Sequence, residues 1–199
     1  PFGRTGPFAD RPTTVFIVQA EAGSLLVRGG PDQPPIMAGG RISDVRRDAV
    51  SSYCAAVAYN GSARYELALV EALRAVRSRA GMFEGWALPE LVEAAVRAGE
   101  HEVAVAAVEQ LRTYVEPAAT DWGLGVLDRC RALIADQDDA EGLFQSAGSR
   151  LARTEMVLDQ ARTHLLHGEW LRRQKRRIDA RTELRTAHEL LSGAGAGAF

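Results

Sequence analysis

His164-Leu-Leu-His167-Gly-Glu169 places two histidines on neighbouring helical turns, which makes them the chain's best candidates for metal ligation. A zinc-protease helix needs the order His-Glu-x-x-His, and here the glutamate follows the second histidine. A third ligand arises only if His188 folds back onto the pair. These residues therefore read as polar helix-face histidines, not as a metal site or an acid–base pair. Asp136-Gln-Asp138-Asp139-Ala-Glu141-Gly142 begins like a calcium loop, but glycine falls at position 7 instead of 6 and Ala147 stands where a bidentate glutamate belongs. It reads as an acidic turn between helices. The run Arg172-Arg-Gln-Lys175-Arg-Arg177 has the charge to meet phosphates. Without interleaved aromatics it fits better the end of one helix and the hairpin turn that follows, where cations suit the helix dipole.

No Gly-x-x-x-x-Gly-Lys-Ser/Thr string occurs, so the backbone cradle and lysine that nucleotide phosphates require are missing. There is no Gly-x-Ser-x-Gly elbow either. The expectation is a non-enzymatic chain with no catalytic, metal or cofactor-binding residue. Alone it should neither hydrolyse ATP nor bind DNA specifically, since a net charge of −2 repels the phosphate backbone. Cys54 and Cys130, 76 residues apart, read as small buried hydrophobes in a reducing cytoplasm rather than a disulfide or a catalytic thiol. Trp86, Trp122 and Trp170 fall among apolar neighbours at helical spacing and read as core or inter-repeat packing.

The elements that must position these residues are written in a repeat. Ala68, Ala104, Ala140 and Ala180 recur in similar contexts, as in Tyr65-Glu-Leu-Ala68 and His101-Glu-Val-Ala104, at steps of 36, 36 and 40 residues. Trp86-Ala-Leu88 and Trp122-Gly-Leu124 repeat the same step, each tryptophan 18 residues ahead of its alanine. A period near 36 is the length of one helix–turn–helix unit. The fold expected is all-α: a tetratricopeptide-like stack of about four antiparallel hairpins, with the alanines letting each second helix approach its first. The fit to a strict tetratricopeptide unit is loose, because its terminal proline is missing and the period is longer.

Three segments follow. Residues 1–42 hold six of the eight prolines and seven glycines without a helical period. They form an irregular arm, either disordered or carrying a short hairpin of Val15–Val18 with Leu25–Val27. Residues 43–191 form the repeat domain, in which Ser43 and Asp44 cap the first helix and Asn60-Gly61 closes it. The second covers Tyr65–Arg77. The third holds Leu88, Leu91, Val92 and Ala95 on one stripe, with Pro89 in its first turn. The fourth stops before Pro117, the fifth starts near Asp121, the sixth covers Asp139–Ala152, Thr154 caps the seventh, and the eighth spans Arg177–Leu191. Residues 192–199 are a flexible Gly/Ala tail. Pro1 as first residue and Met37 as first methionine point to a fragment, a processed chain or an incomplete reading frame.

With 46% hydrophobic and 25% charged residues in 199, the profile is that of one ordinary soluble core. No apolar run approaches the roughly 18 residues a membrane span needs, and Thr13–Val18, followed by Glu21, is too short for a signal sequence. The charge is split: residues 81–147 carry 13 acidic and 4 basic side chains, residues 156–191 carry 5 and 8. On helical proteins such asymmetry is usually a solvated face.

The stretch from Gln160 to Leu191 closely resembles a segment of the large ATP-binding LuxR-type transcriptional regulators of actinobacteria. The likeness is carried by Ala161, Arg162, Leu165, Gly168, Glu169, Trp170, Leu171, Arg172 and Arg173, the last six forming the string Gly-Glu-Trp-Leu-Arg-Arg. Gly85–Gly99 is similar to another recurring segment of that family, and Tyr59-Asn-Gly61 with Arg64-Tyr-Glu66 and Ala68 to a third. The resemblance covers about residues 50–199. It implies the helical region that lies between an N-terminal ATPase and a C-terminal helix-turn-helix, neither of which is in this chain. Such a region is expected to receive a protein or peptide partner, the regulator's own other domains or a small-molecule inducer, without a membrane. The alternative is a free-standing tetratricopeptide-like scaffold that docks a peptide or protein in its groove.

Overall fold

A computed structural model describes residues 42–78 and 82–196, with side chains from residue 48 in the first stretch and from residue 84 in the second. Eight α-helices account for nearly all of them: α1 Ile42–Gly61, α2 Tyr65–Arg77, α3 Met82–Ala98, α4 His101–Ala118, α5 Asp121–Ile134, α6 Gln137–Leu151, α7 Val157–Arg173 and α8 Arg177–Gly193. The described residues contain no strand. The proline-rich arm, with its alternative hairpin, lies outside the described residues but for Ile42, as do residues 197–199 of the tail. Each helix packs on the next in sequence, while α1 also packs on α3 and α3 on α5. The result is a hairpin stack in which α1, α3 and α5 stand side by side.

The four repeated alanines occupy one structural position. Ala68, Ala104, Ala140 and Ala180 are each the fourth residue of an even-numbered helix, and all are buried. Each donates its N–H to the carbonyl of the residue before its helix, namely Arg64, Glu100, Asp136 and Arg176. The turns ahead of them repeat too. Ala63, Gly99 and Lys175 adopt left-handed backbone, with φ of 56°, 82° and 63°. In each turn the next residue's N–H reaches back five residues: Arg64 to Tyr59, Glu100 to Ala95, Arg176 to Leu171. This is the Schellman closure of a helix C-terminus. The α5–α6 turn differs, because Ala135 is extended, with φ −74° and ψ 157°.

Helix faces follow the apolar stripes. Leu88, Leu91, Val92 and Ala95 of α3 are buried against Leu111 and Val115 of α4 and Val126, Leu127 and Cys130 of α5 in the main core. Phe144, Ala132 and Leu166 form a second core where α5, α6 and α7 meet, with Trp170 beside it. Two helix pairs approach closely at glycines: a Cβ on Gly125 in α5 would lie 2.7 Å from Leu151 Cγ, and one on Gly168 in α7 would lie 2.8 Å from Leu184 Cγ and 3.2 Å from the carbonyl oxygen of Ala180. Only a residue without a side chain fits at that separation.

Several boundaries move. Pro89 sits in the middle of α3, not in its first turn, because the helix extends back to Met82; the ring leaves the Gly85 carbonyl without its usual donor, and packing of Ala87, Leu88 and Leu91 in the core outweighs that loss. Helix α4 passes Pro117 and ends in left-handed Ala119. Ser43 and Asp44 lie inside α1. Thr154 does not cap α7: its hydroxyl donates to the Leu151 carbonyl at the end of α6, at 2.7 Å, which the Thr154 N–H and the Gln160 side-chain amide also reach, and α7 begins at Val157 behind Met156. A side-chain cap is made by Thr120, whose Oγ1 accepts from the Gly123 N–H at 3.1 Å and starts α5.

Candidate binding groove

The odd-numbered helices carry a second stripe beside their core faces, sharing Val126 with the core on α5. On α3 it is Trp86, Glu90 and Glu93, on α5 Trp122, Val126 and Arg129, and on α7 Asp159, Arg162 and Thr163, all at the three- and four-residue steps that keep side chains on one helix face. With Tyr53 from α1 these stripes enclose a cavity of about 470 Å³, whose walls include Trp86, Trp122, Tyr53, Val126 and Met156. A cavity of about 320 Å³ shares Trp86 and Trp122 and extends toward Tyr114 of α4. Another of about 240 Å³ shares Tyr53 and Glu90 and extends toward Leu165 of α7.

The floor is ionic. Arg162 grips Glu93 through two hydrogen bonds, Nε at 2.9 Å and Nη2 at 2.7 Å, with both side chains largely buried. Buried Arg129 donates through Nη1 to Asp159, to its carbonyl and to Oδ1, each at 3.1 Å. The Trp122 indole N–H also donates to Asp159 Oδ2, at 2.8 Å. Further along, Arg97 of α3 pairs with Glu169 of α7. Thus α7 is tied to α3 and α5 by side chains across the groove.

Glu90 is the carboxylate left over. Its Oε2 accepts from the Asn60 amide at 2.8 Å, and Asn60 Nδ2 also donates to the Glu90 carbonyl at 3.1 Å. Burial pushes the Glu90 carboxyl above the usual carboxylate range; Arg162 pulls it down, Glu93 pushes it up, and Asn60 and Arg129 lower it further. Burial likewise lifts the Tyr53 phenol to about 12, with Glu90 adding to the shift. These groups line the same cavity.

The residues singled out by sequence chemistry are distributed elsewhere. His164 Nδ1 lies 2.6 Å from Glu183 Oε2 and His167 Nδ1 3.6 Å from Glu183 Oε1, so both histidines serve the α7–α8 contact. Burial lowers the His167 pKa, and its ring stacks on Phe144 at 5.1 Å between centroids. His188 is exposed, and the described residues contain no group of three or more metal-ligating side chains. The acidic segment from Asp136 is the first turn of α6 rather than a loop between helices. Arg176 answers it by pairing with Glu141 at 2.7 Å and Asp179 at 2.8 Å. Cys130 is buried, its thiol pushed up to about 12 by desolvation, whereas Cys54 is exposed, against expectation.

The tryptophans divide. Trp170 packs as expected, 6.2 Å from Phe144 between ring centroids. Trp86 does not: it is 42% exposed, stands 6.2 Å from the Tyr53 ring, and walls the groove. The reason is the longer α3, which puts Trp86 on the helix one turn ahead of Pro89, beside the core stripe rather than on it. Glu90, Glu93, Arg129, Asp159 and Tyr53 were not singled out from the sequence. Their signal was present as polar and aromatic residues at helical steps, but nothing in a single chain says that the stripes of α3, α5 and α7 face each other.

No helix among the described residues is long and apolar enough to cross a membrane. In comparisons with known proteins, no family model, no curated protein and no solved structure matches the chain.

Proposed function

We propose that this chain is the helical-repeat sensor and interaction region of a LuxR-type transcriptional regulator, working without catalysis in the cytoplasm. In this reading the groove receives a protein, peptide or small-molecule inducer, and the stack relays that event to an ATPase and a DNA-binding domain elsewhere in the regulator. The supporting observation is the groove itself, an aromatic cavity of about 470 Å³ lined from α1, α3, α5 and α7, over an ionic floor contributed by α3, α5 and α7. Concave sites with apolar walls and a few convergent polar groups are where proteins hold ligands. The family-like string has a structural role at each of its first four positions. Gly168 lets α7 and α8 approach closely, Glu169 reaches Arg97, Trp170 packs on Phe144 and Leu171 is buried.

Sequencing the DNA on both sides of the coding segment tests the proposal. The frame is expected to continue upstream into an ATPase with a phosphate loop and downstream into a helix-turn-helix. Stop codons close on both sides would overturn it in favour of a free-standing scaffold.

A further inference from the structure

We propose that the cavity of about 470 Å³ is a binding site for a small organic cation, of the arylalkyl ammonium class, held by Glu90 and by the aromatic faces of Trp86, Trp122 and Tyr53. The inference rests on reading the groove as the receiving surface and adds the chemical class of what is received.

Charge complementarity selects the sign. Arg129 is engaged by Asp159 and Arg162 by Glu93, so these four charges cancel in pairs. Glu90 has a neutral amide, Asn60, as its hydrogen-bonding partner, and its Oε1 accepts no hydrogen bond from the described residues. An ammonium group entering the cavity supplies the missing positive charge and a donor for that oxygen. Arg129 offers no surplus charge to draw an anion in, because Asp159 balances it and takes two hydrogen bonds from its Nη1.

The walls select the body. Ammonium groups bind over tryptophan and tyrosine faces through the ring quadrupole, more strongly where water is excluded. Val126, Met156 and Pro89 complete an apolar lining suited to an aryl or alkyl portion. The surroundings also predict a pH response. The groups facing Glu90 are Glu93 on its own helix, Tyr53 and Asn60 of α1, Arg129 of α5, and Asp159 and Arg162 of α7. Because burial holds Glu90 partly protonated near its raised pKa, ammonium binding should tighten as pH rises through that value.

The test is calorimetry and tryptophan fluorescence on the full chain with 2-phenylethylammonium, using 3-phenylpropanoate and 2-phenylethanol as anionic and neutral counterparts. The ammonium should bind saturably at one site, about tenfold or more tighter than either counterpart. Glu90→Gln should weaken it by about tenfold, and Trp86→Ala, at a half-exposed position that leaves the core intact, should weaken it with circular dichroism unchanged. Equal affinity for the three probes, unchanged affinity in both variants, or no saturable binding at millimolar probe overturns the inference. A flanking frame without a helix-turn-helix would remove the regulator reading and leave ammonium binding standing. Failed binding beside an intact helix-turn-helix would remove this inference alone.

Discussion

Gly168 shows how narrow the tolerance is at single positions. Its missing side chain lets α7 and α8 meet with Leu184 Cγ 2.8 Å from where a Cβ would stand. Gly168→Ala should therefore push the hairpin apart and lower stability by about 1–3 kcal/mol, read from urea midpoints. Arg162 and Glu93 form the deepest ion pair in the groove. Arg162→Ala should cost about 3–5 kcal/mol, because Glu93 would remain buried without its partner. Glu90 and His167 give opposite pH signatures. Glu90 is raised, chiefly by burial, so the stability linked to its bound proton is full below the ordinary carboxylate range and is lost as pH rises through the raised value. His167 is lowered, again chiefly by burial, so its contribution is full above the ordinary imidazole value and is lost as pH falls through the lowered one. Glu90→Gln should abolish the first decline and His167→Gln the second, each visible in urea titrations run from pH 4 to 9 (roughly the span of carboxylate and imidazole titration in proteins).

At the scale of the helix, the unit of construction is a turn followed by an alanine. Three of four hairpins close with a left-handed residue five positions ahead of the repeated alanine: Ala63, Gly99 and Lys175 precede Ala68, Ala104 and Ala180. Gly99 alone announces such a turn by residue type, since alanine and lysine seldom adopt positive φ. The alanines were legible because burial at a close contact restricts size, and size is written in the residue type. Replacing Ala140 or Ala180 with leucine should overpack the hairpin and lower stability by about 1–3 kcal/mol, measured as a shifted denaturant midpoint. Pro89 and Thr154 were misplaced for a common reason. Local rules put proline in a first turn and threonine at a helix start, whereas core packing of α3 and the Leu151 carbonyl at the end of α6 decided otherwise.

Across the whole molecule the split of charge finds its use. The acidic middle and the basic C-terminal hairpin are stitched together by Glu93–Arg162 and Glu141–Arg176, while Arg97–Glu169 crosses in the opposite sense. Arg172, Lys175 and Arg177 remain exposed and form no ion pair among the described residues. They leave room for weak contact with phosphates. Gel shifts of unrelated duplexes should accordingly show faint binding that fades with salt and ignores sequence. ATP turnover should stay at background, since no phosphate loop occurs in the chain. Tight retention of one duplex over another would mean that the hairpin turn reads bases.

The sequence by itself determined the helical class, the repeat and the register of its alanines, because periodicity and side-chain size are local quantities that survive without a partner in view. Tyr65–Arg77 was placed to the residue on those grounds. Only the tertiary structure decided which stripes would look at one another. Trp86 belongs to a groove and Trp170 to a core, although both sit at helical spacing among apolar neighbours. Glu90 becomes an isolated charge only because Arg129 and Arg162, on two other helices, are already committed to other carboxylates. Those pairings join residues 30 and 69 positions apart, and their geometry follows from how the hairpins stack rather than from the order of residues within any one of them.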